Sequence, residues 1–384
     1  MKLLLPYIIL LEYNNSVKAK KIWLVAAIVL FAVYFFCAAR PVPPETVLLP
    51  RWLNSLDLGI PVALGDTVLP DDENEYDKNS LAPFELGGSF GYFDRDGRFS
   101  VNQAKNANVS ISRERWAQYG AEPERIAVNS PEGEALAVIE NPRGYPFFLD
   151  GRIFLINSEQ NAVSEIDGSG GRLWSYEFTS PLTCVDSAAG LLLAGSLDGV
   201  AGVLDNTGKQ VFSFEPSGSR IAIILGCALS RDGSKLALIS GIDEQRFLLF
   251  ERFGNSASDY KVVYHEFLES DFRRPVYISF IEEDRWIVFE RHGGLGFFEL
   301  GSRQSGNVEF KGELSAIDHS GGQGLLFAVI SRSQEMKELV GIKLPGSLII
   351  EAPFKSTEVF LGRSGSRLFI GGRQALIAFD LEKR

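Results

Sequence analysis

Residues 181–216 read PLTCVDSAAGLLLAGSLDGVAGVLDNTGKQVFSFEP, and this stretch decides the fold. It contains four short apolar runs, PLTCVDS, LLLAGS, VAGVLD and QVFSFEP, which are separated by Gly, Asp and Asn. Apolar runs of this length between turn residues are typical of β-strands. The dipeptide Asp198-Gly199 suits a hairpin because Gly takes a positive φ at no steric cost. The stretch therefore predicts one four-stranded antiparallel sheet.

The same scheme recurs along the chain. Residues 144–178 contain YPFFLDG, RIFLIN, NAVSEID and RLWSYEF, and residues 275–312 contain PVYISFI, RWIVFER, GLGFFEL and NVEFKG. Only residues 113–125 could hold a short helix. A chain of many short strands without long helices indicates a sandwich, a barrel or a propeller.

The spacing of one kind of tight turn favours the propeller. Seven such turns follow apolar runs, and their second residues are Gly97, Gly151, Gly190, Gly233, Asp284, Gln323 and Gly365. The intervals between them are 54, 39, 43, 51, 39 and 42 residues. Propeller blades repeat every 40–50 residues or so and have four strands each. We therefore predict an all-β, seven-bladed β-propeller of four-stranded antiparallel blades over residues 85–384.

The last repeat contains only three apolar runs, EVFLG, RLFIGG and ALIAFDLE, before Arg384. An open outer edge would leave backbone groups unpaired. We therefore expect an earlier segment to supply the fourth strand and to close the ring. The best candidate is residues 60–69, IPVALGDTVL.

The amino-terminal region predicts where in the cell the protein is located. Residues 22–39 contain no charged side chain, and 18 helical residues span about 27 Å, close to the thickness of a bilayer core. Lysines precede this segment, so residues 1–21 are expected in the cytoplasm and the bulk outside it. The prediction is a single transmembrane helix in the bacterial inner membrane, with the propeller in the periplasm or outside the cell. The alternatives for this segment are a cleaved signal and a lipid-modified Cys37. Separately, we expect translation to begin near Val17.

Charge and composition limit the partners. The chain has 38 Lys and Arg against 49 Asp and Glu, which gives a net charge of −11. Such an acidic protein is a poor match for nucleic acid, whose phosphates need a basic surface. Residues 40–84 read as a Pro-rich and acidic linker that includes the ring-closing strand, and its run PDDENEYD predicts a solvated segment.

Two of the repeats resemble those of the pyrroloquinoline-quinone-like and WD-repeat-like β-propeller superfamily. In that superfamily a strand ends at Asp, a Thr-Gly-Lys-like turn follows, and an aromatic residue lies on the outer strand. The matching residues are Asp167, Gly171 and Trp174 in one repeat, and Asp205, Thr207, Gly208, Lys209 and Phe212 in the next. The superfamily includes quinone-dependent dehydrogenases and exported scaffold proteins, such as the propeller lipoprotein of outer-membrane protein assembly.

A quinone enzyme of this kind would imply a calcium ion, a catalytic Asp and often a vicinal cysteine pair. No two of Cys37, Cys184 and Cys227 are adjacent in the sequence. No His, Cys or carboxylate set has metal-ligand spacing. We therefore predict no catalytic residue, no cofactor and no metal site.

Two cysteines occupy equivalent places in neighbouring repeats. Cys184 and Cys227 each lie six residues before the turn glycine of their repeat, so their thiols could face each other across a gap between blades. A disulfide requires Cα atoms roughly 4.4–6.8 Å apart. We expect both to act as small buried hydrophobic residues.

Binding is the predicted function, because propellers present loops on two faces and functional residues concentrate in loops. We predict a non-enzymatic scaffold with a protein partner in the cell envelope. The candidate contact residues are Phe272, Arg273 and Arg274, which combine an aromatic ring with two cations. Trp116, in one of the two long repeats, is the fourth candidate. The alternatives are an enzyme or a small-ligand sensor that uses the propeller channel.

Overall fold

The computed structural model describes residues 23–25, 27–34, 45–65, 67, 76–254 and 259–383. Residues 23–25 and 27–34 are helical. Within these described ranges, no helix combines the length and the apolar character that crossing a membrane requires. The predicted transmembrane helix over residues 22–39, and with it the single-pass inner-membrane location, is therefore wrong. The predictions on Val17 and Cys37 concern residues outside the described ranges.

Residues Thr46–Glu382 form one compact unit. Its described residues form eight antiparallel sheets, numbered here as blades 1 to 8. The chain enters with two strands of blade 8, which are β1 (Thr46–Ser55) and β2 (Pro61–Ala63). A 3-10 turn (Lys78–Ser80) then leads to blade 1, whose described strands are β3 (Ala82–Leu86), β4 (Ser89–Phe93) and β5 (Phe99–Ala104).

Six four-stranded blades follow in chain order. Blades 2 and 3 contain β6 (Asn108–Ile111), β7 (Trp116–Tyr119), β8 (Arg125–Asn129) and β9 (Ala135–Glu140), then β10 (Tyr145–Leu149), β11 (Arg152–Ile156), β12 (Ala162–Ile166) and β13 (Arg172–Glu177). Blades 4 and 5 contain β14 (Leu182–Ala188), β15 (Leu191–Ser196), β16 (Ala201–Leu204) and β17 (Gln210–Phe214), then β18 (Ile224–Leu229), β19 (Lys235–Ser240), β20 (Arg246–Arg252) and β21 (Tyr260–Phe267). Blades 6 and 7 contain β22 (Ile278–Ile281), β23 (Trp286–Arg291), β24 (Gly294–Glu299) and β25 (Gln304–Glu309), then β26 (Glu313–Asp318), β27 (Leu325–Ser331), β28 (Met336–Lys343) and β29 (Ser347–Lys355). Blade 8 is completed by β30 (Phe360–Ser364), β31 (Arg367–Gly372) and β32 (Ala375–Lys383).

The predicted number of blades is too low by one because the first turn of blade 2 was not recognised. Gly97 lies between β4 and β5, the last two strands of blade 1, whereas the other six turns join the first two strands of their blades. The interval of 54 residues therefore contains all of blade 2. The first hairpin of blade 2 turns at Ser112–Arg115 without a glycine. Residues 113–125, the stretch that could have held a short helix, instead contain most of that turn and β7.

Blade 8 closes the ring with strands that are far apart in the sequence. Its strand order is β2-β1-β32-β31-β30, so β1 pairs with β32. The closing strand is therefore Thr46–Ser55, not the predicted residues 60–69, of which Pro61–Ala63 form an added outer strand. The compact unit accordingly begins at Thr46 rather than at residue 85. Asp380 on β32 holds the junction because it pairs with Arg51 at 2.6 Å and with Arg367 at 2.7 Å.

The core lies between the blades. Each apolar cluster is shared by two neighbouring blades, and the clusters follow one another around the ring from blades 1 and 2 to blades 8 and 1. The first strands of neighbouring blades also contact each other, as β14 does with β18. Burial of apolar surface, at roughly 25 cal/mol per Å², therefore stabilises the ring as a whole rather than any blade alone.

A cross-strand ion pair recurs in three blades. The basic residue lies at or just before the start of the second strand, and the acidic residue lies in the second half of the third. The pairs are Arg152 with Glu165, Arg285 with Glu299 and Arg367 with Asp380. Their burial differs: the side chains of the Arg152–Glu165 pair are 15% and 11% exposed, and those of Arg285–Glu299 are 68% and 19% exposed.

Candidate functional site

Three of the four predicted contact residues lie in one connection. Residues 268–277 lead from β21 of blade 5 to β22 of blade 6, and they contain Phe272, Arg273 and Arg274. Phe272 is half-buried against the core between these blades, and its carbonyl accepts a hydrogen bond from Gln245 Nε2 at 2.5 Å. Arg273 is exposed. The connection is therefore anchored at Phe272 and presents a cation beside it.

Arg274 is locked in place by a buried carboxylate. Its guanidinium donates to Glu290 Oε1 at 2.6 Å and to Glu290 Oε2 at 3.1 Å, and Glu290 is only 5% exposed. The guanidinium also lies over the ring of Phe272, with Cζ 4.7 Å from the ring centroid. The hydrogen bonds with Glu290 raise the pKa of Arg274. Such a forked, stacked arginine keeps one geometry.

Three further side chains extend this surface. Phe267 ends β21 and is 55% exposed, and Arg246 lies over its ring with Cζ 5.3 Å from the centroid. Ile221 is 51% exposed in the connection between blades 4 and 5, where its carbonyl accepts the N–H of Ile242. We name this surface the Phe272 patch, and its members are Ile221, Arg246, Phe267, Phe272, Arg273 and Arg274.

Sequence reasoning missed Phe267 and Arg246, although one signal was present. His265 and Phe267 are two residues apart on an outer strand, so they share one side of it. Their rings meet edge to face at 6.1 Å, and both side chains are exposed. A phenylalanine in register with a polar residue on an outermost strand indicates an outward-facing ring.

Trp116 is not part of the patch. It lies on β7 of blade 2, is only 7% exposed, and packs its ring 5.1 Å from that of Phe90. Its indole N–H donates to the carbonyl of Ser130 at 2.9 Å. Trp116 is therefore a core residue, and we leave it out of the proposed contact surface.

A cavity of about 660 Å³ opens where the first strands of blades 4 to 7 converge. Its carboxylates accept hydrogen bonds from backbone N–H groups of other blades. Asp284 accepts from Arg231 at 2.8 Å, and Glu282 accepts from Gly324 at 2.8 Å. These acids therefore tie neighbouring blades together at this end of the ring. We name the cavity the channel-mouth cavity.

Asp186 is the most perturbed acid of this cavity. Burial raises its pKa to about 6, against the lowering effect of the N–H groups of Leu229 and Ser187, and the charge of Asp150 raises it further. Asp186 accepts those two hydrogen bonds at 2.7 and 2.8 Å.

Asp186→Asn should change the pH dependence of stability. The unfolded chain releases this proton near pH 3.8 and the native state near pH 6. The protonated Asp186 carboxyl therefore stabilises the native state below pH 4, and this contribution is lost as the pH rises through 6. A shift of this size corresponds to about 2–3 kcal/mol. We expect the unfolding free energy of the wild type minus that of the variant to fall by this amount between pH 4 and pH 7 in denaturant titrations. Parallel curves for the two proteins would contradict the assignment.

His319 lies at the same cavity. Its Nε2 is 3.5 Å from Ser279 Oγ, and burial lowers its pKa. The neighbouring Asp318 accepts hydrogen bonds from the backbone and the hydroxyl of Ser320. In the part of the chain that the structure describes, no group of three or more His, Cys, Asp or Glu side chains could hold a metal ion.

Comparison with known proteins supports the same architecture. A family model described as a beta-propeller protein matches residues 15–383. A curated relative, named as an uncharacterized protein of Treponema pallidum (strain Nichols), is 31% identical over 261 residues, which are 67% of this chain and 67% of the relative.

Two solved structures are similar in fold. BamB from Moraxella catarrhalis has a TM-score of 0.56 and 13% identity, and the match covers 87% of this chain and 100% of that one. The computationally designed Ika8 protein has a TM-score of 0.55 and 13% identity, with 79% of this chain and 95% of that one covered. Identities this low show a shared fold alone.

Proposed function

Because this chain belongs to the β-propeller protein family, we propose that it is a protein-binding scaffold whose partner docks on the Phe272 patch. The expectation of an envelope partner rested on the predicted anchor, so the proposal names the partner only as a protein. We assign the repeats to the pyrroloquinoline-quinone-like type within the family. The support for this is Asp205, whose carboxylate accepts the N–H groups of Thr207 and Lys209 at 2.8 and 3.1 Å in the turn between β16 and β17.

The fixed position of Arg274 carries the proposal. Its ion pair with buried Glu290 and its stacking on Phe272 order the side chain before any partner arrives. Ordering a long side chain at an interface otherwise costs about 0.5–1.5 kcal/mol. Aromatic residues and arginine are also the types that most often dominate binding energy at protein interfaces.

The patch is a better candidate for ligand contact than the channel-mouth cavity. Glu282 and Asp284 of that cavity are engaged by backbone N–H groups of neighbouring blades, so a ligand would have to replace those bonds. The patch, in contrast, presents Phe267 and Arg273 to solvent. This favours a docking surface over a small-ligand sensor in the channel.

Phe267→Ala should weaken partner binding at least tenfold, which corresponds to about 1.4 kcal/mol. Phe267 is more than half exposed, so the substitution should leave the fold intact. The measurement is affinity capture of the tagged full-length chain from its native host, with captured proteins quantified by mass spectrometry. The bound partner is then titrated against purified variants.

The matched control is Phe253→Ala. Phe253 is 52% exposed, lies near Lys261 Nζ at 5.7 Å from its ring centroid, and lies at the opposite end of blade 5. We expect its removal to leave binding unchanged. Loss of the partner with Phe253→Ala but not with Phe267→Ala would overturn the proposal, as would a partner that both variants retain at full affinity.

A further inference from the structure

The two described cysteines face each other between blades 4 and 5. Cys184 lies on β14 and Cys227 on β18, and both are free thiols. Cys227 is buried in the apolar cluster of these blades, and Cys184 packs against that cluster. The sulfur of Cys227 lies 3.9 Å from the carbonyl oxygen of Leu193, which belongs to the blade of Cys184. The thiol of one blade therefore reaches into the other.

A glycine makes room for the pair. Gly195 is the cross-strand partner of Cys184. A Cβ at Gly195 would lie 2.7 Å from Cys184 Sγ and 2.4 Å from a methyl carbon of Ile224. Contacts under 3 Å do not occur between real side chains, so only glycine leaves the sulfur of Cys184 free to point toward the neighbouring blade.

Hydrogen bonds hold the two strands together on each side of the cysteines. Before the pair, the hydroxyl of Thr183 donates to the carbonyl of Ile224. After it, the N–H of Leu229 donates to the carboxylate of Asp186 at 2.7 Å. Thus β14 and β18 are fixed relative to each other around the two sulfurs.

The environments of the two thiols differ. Burial raises the pKa of Cys227, and the hydrogen bond with Cys184 raises it further, so Cys227 remains protonated at neutral pH. Cys227 is 6% exposed, whereas Cys184 is only partly buried. Cys184 is therefore the thiol that an external reagent reaches first.

We propose that Cys184 and Cys227 form a reversible disulfide that links blades 4 and 5. The oxidant is a small-molecule disulfide such as oxidised glutathione. The Cys184 thiolate attacks one sulfur of the oxidant, which breaks its S–S bond and releases one thiol. Cys227 then gives up its proton and attacks Cys184 Sγ, which releases the second thiol. In total, two protein thiols and one small disulfide become one protein disulfide and two small thiols.

The bond should stabilise the native protein because it closes a loop between residues 184 and 227. Loop closure restricts the unfolded chain, and the expected result is a rise in melting temperature of about 5 °C or more. Since both cysteines lie between blades rather than in the Phe272 patch, the proposal is independent of the proposed function.

The test uses the full chain with Cys37→Ser, so that only the pair can react. The reduced protein is incubated with oxidised glutathione, denatured, treated with an alkylating mass tag and digested. We expect both thiols to be lost, a peptide that joins residues 184 and 227, a monomer on a non-reducing gel and the rise in melting temperature. Dithiothreitol should restore two taggable thiols and the original melting temperature.

The matched control carries Cys37→Ser and Cys184→Ser, and a second carries Cys37→Ser and Cys227→Ser. Neither should show the joined peptide or the rise in melting temperature. The proposal is overturned if the protein with both cysteines still takes two tags after oxidation. It is equally overturned if a glutathione adduct accumulates on Cys184 without the cross-link, or if the only disulfide joins two chains.

Discussion

Replacing Glu165 with alanine should lower the free energy of unfolding by about 3–5 kcal/mol. Glu165 pairs with Arg152 through two hydrogen bonds, and it also accepts the indole N–H of Trp174 at 2.7 Å. The side chain of Arg152 also reaches blade 4, where its guanidinium donates to Ser187 Oγ at 3.1 Å. Glu165→Ala therefore leaves a largely buried cation and a buried N–H without their acceptor at the junction of blades 3 and 4.

The equivalent pair in blade 6 gives the matched control. Glu299→Ala removes the partner of Arg285, whose side chain is 68% exposed and stays hydrated without it. Exposed pairs contribute about 0–1 kcal/mol, so this variant should unfold near the wild-type denaturant concentration. Guanidinium titrations of both variants make the comparison. Equal losses in the two blades would show that burial does not distinguish these pairs.

Trp52→Ala should cost about 3–5 kcal/mol, because it removes the largest buried side chain of the closing strand. Trp52 is fully buried on β1, with ring centroids 6.0 Å from Phe93 and 5.9 Å from Phe369. Its indole N–H donates to Arg95 O at 3.0 Å. Gly97 allows this packing, since a Cβ there would lie 2.8 Å from the indole.

The adjacent residue serves as the control for Trp52. Leu53 lies on the same strand and is 38% exposed, so Leu53→Ala should cost about 1 kcal/mol or less. Both free energies come from denaturant unfolding, with the slope checked for a change in the surface exposed. If the two substitutions cost the same, β1 does not anchor blade 8 to blade 1 through Trp52.

Blade 4 shows how much of the fold local sequence determines. The apolar runs of residues 181–216 correspond to β14, β15, β16 and β17 within two residues at each end. Hairpin turns and strand length are properties of a few adjacent residues, so they can be recognised without knowing what the strands pack against. The β-propeller itself was predicted on this basis, and the family match confirms it.

Blade 2 shows why the number of blades was wrong. Its strands include NVSI and WAQY, which alternate weakly, and its first turn at Ser112 has no glycine. Blade 2 is held by packing against its neighbours: Ile126 and Val128 on β8 are fully buried against blade 3, and Trp116 on β7 packs against Phe90 of blade 1. Packing against neighbouring blades therefore stabilises strands whose own residues only weakly favour β-structure.

The candidate site was predicted only where its residues are contiguous. Phe272, Arg273 and Arg274 stand together in the sequence, so their composition was visible. Phe267 and Arg246 join them through β-sheet register, and the sequence does not display that register. Trp116 was chosen because it lies in one of the two long repeats, and its burial depends on the position of Phe90 in another blade.

The pairing of β1 with β32 has a consequence during synthesis. Arg51 and its partner Asp380 are 329 residues apart, so ribosomes adding about 5–20 residues per second need roughly 15–65 seconds between them. Throughout that interval the growing ring has a gap, and the side of blade 1 that later contacts Phe369 and Leu376 remains open to water. We expect the nascent polypeptide to be most prone to aggregation, and most dependent on chaperones, before the ribosome reaches the codons for β32.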